Sequence, residues 1–208
     1  MKSSHALPLA ATPASTDRPV RSSASTATAT PAAAAAVSPR VLRAEAVVDA
    51  PAAEVWRAWS TSSGASAFLA PRVNIDLRIG GVFEVFFDPQ DASKSSRGIV
   101  LALVPGQMIS FGWHLPPLYP QLPHGVMPVL IALRPTGPAR TVVAIAHFGW
   151  GAAPCWDEPY THMLRGWSDV LGRLQHRFAV GPIDWAAEMA SGPDRREFTL
   201  KERAVTPV

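Results

Sequence analysis

Residues 157–178 read DEPYTHMLRGWSDVLGRLQHRF, and their rhythm decides the fold. Tyr160, Leu164, Trp167, Leu171, Leu174 and Phe178 succeed one another at intervals of four, three, four, three and four. That spacing draws one apolar stripe along an α-helix. Met163 and Val170 widen the stripe, while Arg165, Asp169, Arg173 and Arg177 fall on the opposite face. Asp157 is expected to cap the first free amides, with Glu158 placed where the helix dipole favours an anion. Gly181-Pro182 then closes the element, because proline cannot continue it. A helix of this length with an indole midway along its buried face needs a broad apolar partner, and the preceding chain supplies a sheet.

Working back from the helix, Val143, Ile145 and His147 share one face of a strand, as do Val129, Ile131 and Leu133 of the strand before it. Gln107–His114 places Ile109, Phe111 and Trp113 together; Val82–Asp88 does the same for Phe83, Val85 and Phe87, with Glu84 and Asp88 turned away. Val73–Leu77 and Gly98–Val104 complete this series, with turns at Pro105-Gly106 and Pro135–Pro138. Upstream, Arg40–Val48 alternates as a first strand. Pro51 follows, where a missing amide costs a helix nothing, and Ala52, Val55, Trp56 and Trp59 form one helical face. Ser60 to Gly64 is read as the end of that helix, with one short turn at Phe68-Leu69-Ala70. Short connections make the strands antiparallel and leave one broad apolar face for the long helix to cover. The fold class is α+β, a curved antiparallel sheet wrapped around a long C-terminal helix.

The 208 residues are 48% hydrophobic, enough for one domain with a real core. Residues 1–38 are almost wholly Ala, Ser, Thr and Pro and are expected to be disordered; a leader, a linker or a misplaced start codon are all open. The domain is bounded at 39–181, and 182–208 form an extension in which Ile183, Trp185 and Met189 suit a short docked helix and Pro193 to Arg203 a solvated end. No apolar run approaches the ~18 residues of a membrane span, and the short patch Ala6 to Ala11 falls below a secretory signal. A cytoplasmic location is expected, to which the lone Cys155 is suited. The net charge of +3 is concentrated early: Lys2, Arg18, Arg21, Arg40 and Arg43 against Asp17 leave the chain after residue 43 at −1. Without a basic stripe, nucleic acid is not expected as a partner, and no membrane partner is expected either.

Chemistry-bearing patterns are sparse. Cys155 and His162 lack a third orienting residue, and with His147 they show no metal-ligand spacing. Gly80-Gly81 is a strand-entry bend rather than a phosphate loop. No cofactor or metal is expected, and no catalytic residue is assigned. His114 faces outward at a strand end and anchors a loop. Phe83, Phe87, Phe111, Trp113, Val129, Ile131, Val143, Ile145, His147, Tyr160, Leu164 and Trp167 are expected to face the space between sheet and helix. They line a pocket for a small apolar ligand or, alternatively, simply fill the core. His147 orients a ligand, acts as an acid or base, or is held by one structural partner.

An ordered set of short motifs carries a family resemblance. It comprises Asp49-Ala50-Pro51 with Val55-Trp56, Arg78-Ile79-Gly80-Gly81, Gly98-Ile99-Val100, Pro105, Phe111-Gly112-Trp113, Thr141, His147-Phe148-Gly149-Trp150, and Gly166-Trp167 with Leu171 and Leu174. The set resembles the helix-grip fold of the SRPBCC, or START-like, superfamily, and within it relatives of the activator of the 90-kDa heat-shock protein ATPase. The resemblance covers about residues 40 to 180. It implies an apolar cavity beneath the long helix and, in some members, a chaperone partner. The stretch before Arg40 does not resemble the extra N-terminal domain of the eukaryotic activators, so weak ATPase stimulation at most is expected. The superfamily also holds cyclases and aromatases, which would give His147 a catalytic role. A non-enzymatic binding domain is the first expectation, a co-chaperone and a cyclase-like enzyme the alternatives. Leu115 to Gly125, rich in proline, departs from the pattern; it is a lid, a docking surface or a stiffened loop.

Overall fold

A computed structural model describes residues 40–91, 93–115, 119–122 and 125–190. The segments 1–38 and Pro193 to Arg203, read above as disordered and solvated, lie outside the described residues. Among these residues seven strands form one sheet in the order β1-β7-β6-β5-β4-β3-β2, and every pairing is antiparallel. They are β1 (Arg40–Val48), β2 (Arg72–Ile75), β3 (Val82–Phe86), β4 (Ser95–Val104), β5 (Met108–His114), β6 (Val126–Gly137) and β7 (Arg140–Trp150). Helices α1 (Ala52–Ser60) and α2 (Ser62–Ser66) connect β1 to β2; α3 (Asp157–Ala179) and α4 (Trp185–Ala190) follow β7. This is the helix-grip α+β architecture: a curved antiparallel sheet around a long C-terminal helix.

The core lies between the sheet and α3. Met163, Trp167, Val170, Leu171 and Leu174 of α3 are buried, with Tyr160, Leu164 and Phe178 packed partly against them. From the sheet come Leu42 and Ala44 of β1, Phe111 of β5, Val129 and Ile131 of β6, and Val143 and Ile145 of β7. Polar ties fix the helix along its length. Gln175 Nε2 donates to the Val47 carbonyl at 2.8 Å, and Arg173 Nε to the Phe68 carbonyl at 3.0 Å. Arg40 pairs with Asp157 at 2.6 Å and places its guanidinium 4.3 Å from the Tyr160 ring centroid.

Several local readings change. Asp157 does not cap α3; Trp156 occupies the N-cap position at the end of a 3₁₀ turn (Pro154–Trp156), and the Asp157 carboxylate is engaged by Arg40. Helix α1 does end at Ser60, but the segment after it starts a second helix, α2, rather than a loop. Thr61 Oγ1 accepts from the Gly64 amide at 3.1 Å and so begins a new helical turn. Ser66 and Ser62 hydroxyls then accept from the Val73 and Ile75 amides at 3.1 and 2.9 Å. Those contacts occupy N–H groups on β2, the outermost strand at its side of the sheet. Trp185 docks as expected, its indole donating to the Ser66 carbonyl at 2.6 Å, whereas Met189 is half exposed.

Gly98 explains how the sheet brings two rings together. It pairs with Phe83 on β3, and a Cβ at Gly98 would collide with the Gly112 carbonyl of β5. With no side chain on the intervening strand, Phe83 and Phe111 meet face to face, centroids 3.9 Å apart and planes 4° from parallel.

Candidate functional site

The side chains expected to line one space are brought together by the register of β5, β6 and β7 against α3. Phe111 pairs with Val129, Val129 with His147, and Ile131 with Ile145, so these residues face α3 from consecutive strands. Phe83, Phe111, Val129, Ile131, Val143, Ile145, His147 and Trp167 are all at most 2% exposed, and Trp113 is 5% exposed. Phe87 departs from this set. It lies one residue beyond β3, is 45% exposed, and only edges onto Trp113 at 5.9 Å. Its neighbour Phe86 is the buried one, on the opposite face, beneath the Arg72 guanidinium at 3.9 Å.

The rings form a continuous series. Trp113 lies 6.2 Å from Phe111 and 5.0 Å from Trp167. The Trp167 indole donates to His147 Nδ1 at 3.2 Å, and His147 sits edge-on to Trp150 at 5.0 Å. Trp150 in turn meets Tyr160 at 5.3 Å and Trp156 at 6.0 Å. These rings occupy the space beneath the helix in mutual contact. A surface groove of about 590 Å³ lies elsewhere, on the outer side of α3, between Tyr119 and residues such as Glu158, His162 and Arg165. Tyr119, from the described part of the proline-rich loop, rests edge-on against His162 at 5.9 Å. Of that loop, residues 116–118 and 123–124 are outside the described set.

Trp150 was not among the residues expected at this site. Strict alternation from His147 would turn it outward. The register shifts, however: Leu42 pairs with His147 but Arg40 with Trp150, an extra residue that Gly149 accommodates at φ 94°. The bulge turns the indole into the core, where Trp150 is 2% exposed. A glycine interrupting an apolar strand was the available signal.

His147 is the polar centre of the cluster. Burial pushes its pKa down from 6.5 to about 4, so the ring is neutral at pH 7. With Nδ1 accepting from Trp167, the hydrogen resides on Nε2, which finds no partner among the described residues. Leaving such a donor buried costs about 1–3 kcal/mol. Cys155 is exposed on the 3₁₀ turn, and among the described residues no group of His, Cys, Asp or Glu is arranged to hold a metal ion. The His114 side chain is exposed, and its backbone amide is held by Ser96 Oγ at 3.1 Å.

A sequence model of the family described as activator of Hsp90 ATPase homolog 1-like protein matches residues 49–179. No curated protein gives a match. Solved structures share the fold. Protein MLL2253 from Mesorhizobium loti superposes with a TM-score of 0.56 at 20% identity, over 66% of this chain and 95% of that one. The Aha1 dimer from Colwellia psychrerythraea gives 0.55 at 14% identity, over 68% and 98%. CalU16 from Micromonospora echinospora gives 0.54 at 20%, over 74% and 83%.

Proposed function

This chain belongs to the activator of Hsp90 ATPase homolog 1-like family, and from that premise we propose that it is a non-enzymatic binding protein whose ligand, a small apolar molecule, lodges among the rings between sheet and α3. One observation carries the reading: the buried His147 Nε2–H, unpartnered in apolar surroundings. Native interiors pair such groups, and the polar atom of a ligand that parts the rings is a natural partner for this donor. Its neighbours are wide hydrophobic surfaces that would enclose the rest of the molecule.

The same geometry weighs against acid–base catalysis by His147. A general base needs a free lone pair, and the lone pair on Nδ1 is engaged by Trp167. The cyclase-like alternative is therefore the weaker one. A co-chaperone role is supported by the family description alone, and a pull-down with the cognate 90-kDa heat-shock ATPase tests it; no recovery would remove it.

The binding reading is tested by titrating the full chain with 6-propionyl-2-(dimethylamino)naphthalene, an uncharged probe with a carbonyl acceptor that brightens in apolar surroundings. A saturable increase is expected, with a matching change in tryptophan emission and a weaker response in His147→Phe. Emission that grows linearly to the solubility limit, without saturation, would refute it.

A further inference from the structure

Three ring N–H groups at one end of the sheet–helix space lack an acceptor. Trp113 Nε1, Trp150 Nε1 and His147 Nε2 are all buried without a hydrogen-bond partner among the described residues. Their rings belong to one contiguous set. Trp113 lies 5.0 Å from Trp167, His147 6.1 Å from Trp167, and Trp150 5.0 Å from His147. The other buried indole without a partner, Trp59, packs on Phe68 near α2 and has no ring contact with this set.

Every one of the three groups is a donor. An indole nitrogen can only donate. A neutral imidazole offers one donor and one acceptor, and the acceptor is already taken by Trp167. Charge is missing as well: among the described residues the buried polar side chains are Ser60, Ser96, Thr141 and His147, with no carboxylate, lysine or arginine among them. An anionic ligand would lose its hydration with no buried cation to replace it. A ligand whose polar groups only donate would bring donor against donor. A neutral acceptor meets neither penalty.

We propose that the ligand class is a neutral aromatic carbonyl compound, a ketone or quinone, whose ring body packs among the aromatic side chains while its oxygen accepts from Trp113, Trp150 or His147. This rests on the reading of the sheet–helix space as the binding site. Because the rings touch, neighbours must yield on entry. The unbranched side chains of Met127, on β6 opposite Trp113 of β5 and lying against Gly149, and of Met163, one turn before Trp167, are suited to that.

Fluorene and 9-fluorenone separate the two claims, since they differ by one carbonyl. Equilibrium dialysis against the full chain is expected to show fluorenone bound about tenfold or more tightly than fluorene, as an acceptor that satisfies a buried donor should be. In ¹⁵N–¹H spectra at least one of the Trp113, Trp150 and His147 ring N–H signals should move downfield with fluorenone and stay in place with fluorene. Equal affinities would overturn the donor argument and leave the binding site standing; retention of neither compound would remove both. Trp113→Phe, Trp150→Phe and His147→Phe each keep a ring and delete one N–H, and at least one should abolish the preference. A preference that survives all three overturns the proposal, and should a variant fail to fold, the wild-type ring N–H shifts decide.

Discussion

Lowering the pH from 7 to 5 isolates one side chain, His147. Its imidazole has no exposed surface, and burial holds its pKa at about 4 against 6.5 for the free ring. The unfolded chain takes up a proton near pH 6.5, whereas the folded chain resists until near pH 4. Between those values the unfolded state binds more protons, so stability rises with pH across that window. The contribution is fully present above about pH 6.5, declines as the pH falls, and is exhausted below about pH 4. At about 1.4 kcal/mol per pH unit, the whole window is worth about 3 kcal/mol, and the step from pH 7 to 5 about 2 kcal/mol. Urea unfolding of wild type and His147→Phe at both pH values measures it, because subtracting the variant's loss cancels the other five of the six histidines. Wild type should lose about 2 kcal/mol more than the variant. Imidazole ¹⁵N shifts should also show a neutral ring at pH 5, with the hydrogen on Nε2. A ring that titrates near 6.5, or equal losses in the two proteins, would refute both the burial and the fixed tautomer.

Four further substitutions test the packing. Trp167→Ala should cost about 3–5 kcal/mol in urea unfolding, the usual penalty for emptying a buried aromatic site, and a loss below about 1 kcal/mol would contradict its central place. Gly98→Ala should cost about 1–3 kcal/mol, because the new methyl meets the Gly112 carbonyl and pushes apart the strands that let Phe83 stack on Phe111; unchanged stability would mean the strands are not that close. Ser62→Ala and Ser66→Ala should leave global stability within about 1 kcal/mol but speed hydrogen exchange at the Ile75 and Val73 amides, respectively. Unchanged exchange at those two amides would show that the hydroxyls do not close the β2 edge.

The elements that sequence reveals are those whose side chains repeat with a fixed period against one wide surface. Helix α3 is the clearest case, since Met163, Trp167, Val170, Leu171 and Leu174 are all buried on the face that the spacing marks. Strands β5 to β7 follow for the same reason. Helix α2 was hidden because Ser62–Ser66 contains no large apolar side chain to set a period. It is held instead by hydroxyls: Thr61 caps its first turn, while Ser62 and Ser66 bond to a strand 7 to 13 residues away. Phe86 and Phe87 exchange expectations at a strand end. Alternation ranks faces by polarity, but Arg72 and Arg97 cover Phe86 on the outer side, with centroid distances of 3.9 and 6.0 Å.

The site was legible as a set of rings and not as a chemistry. Alternation tells which face His147 occupies; it cannot say which of its nitrogens is free. That depends on Trp167, on another element, whose indole reaches Nδ1 only because α3 docks at this height along the sheet. Had α3 settled one turn away, Nδ1 would lose its donor and the imidazole could present an acceptor to the cluster in place of a donor. The polarity of the ring cluster is thus a consequence of how the helix seats, and it is coupled to stability through the same hydrogen bond. It follows that a change which shifts the helix without touching any ring, such as loss of the Gln175–Val47 or Arg173–Phe68 anchors, would alter which hydrogen-bonding group the imidazole presents before it alters which rings meet.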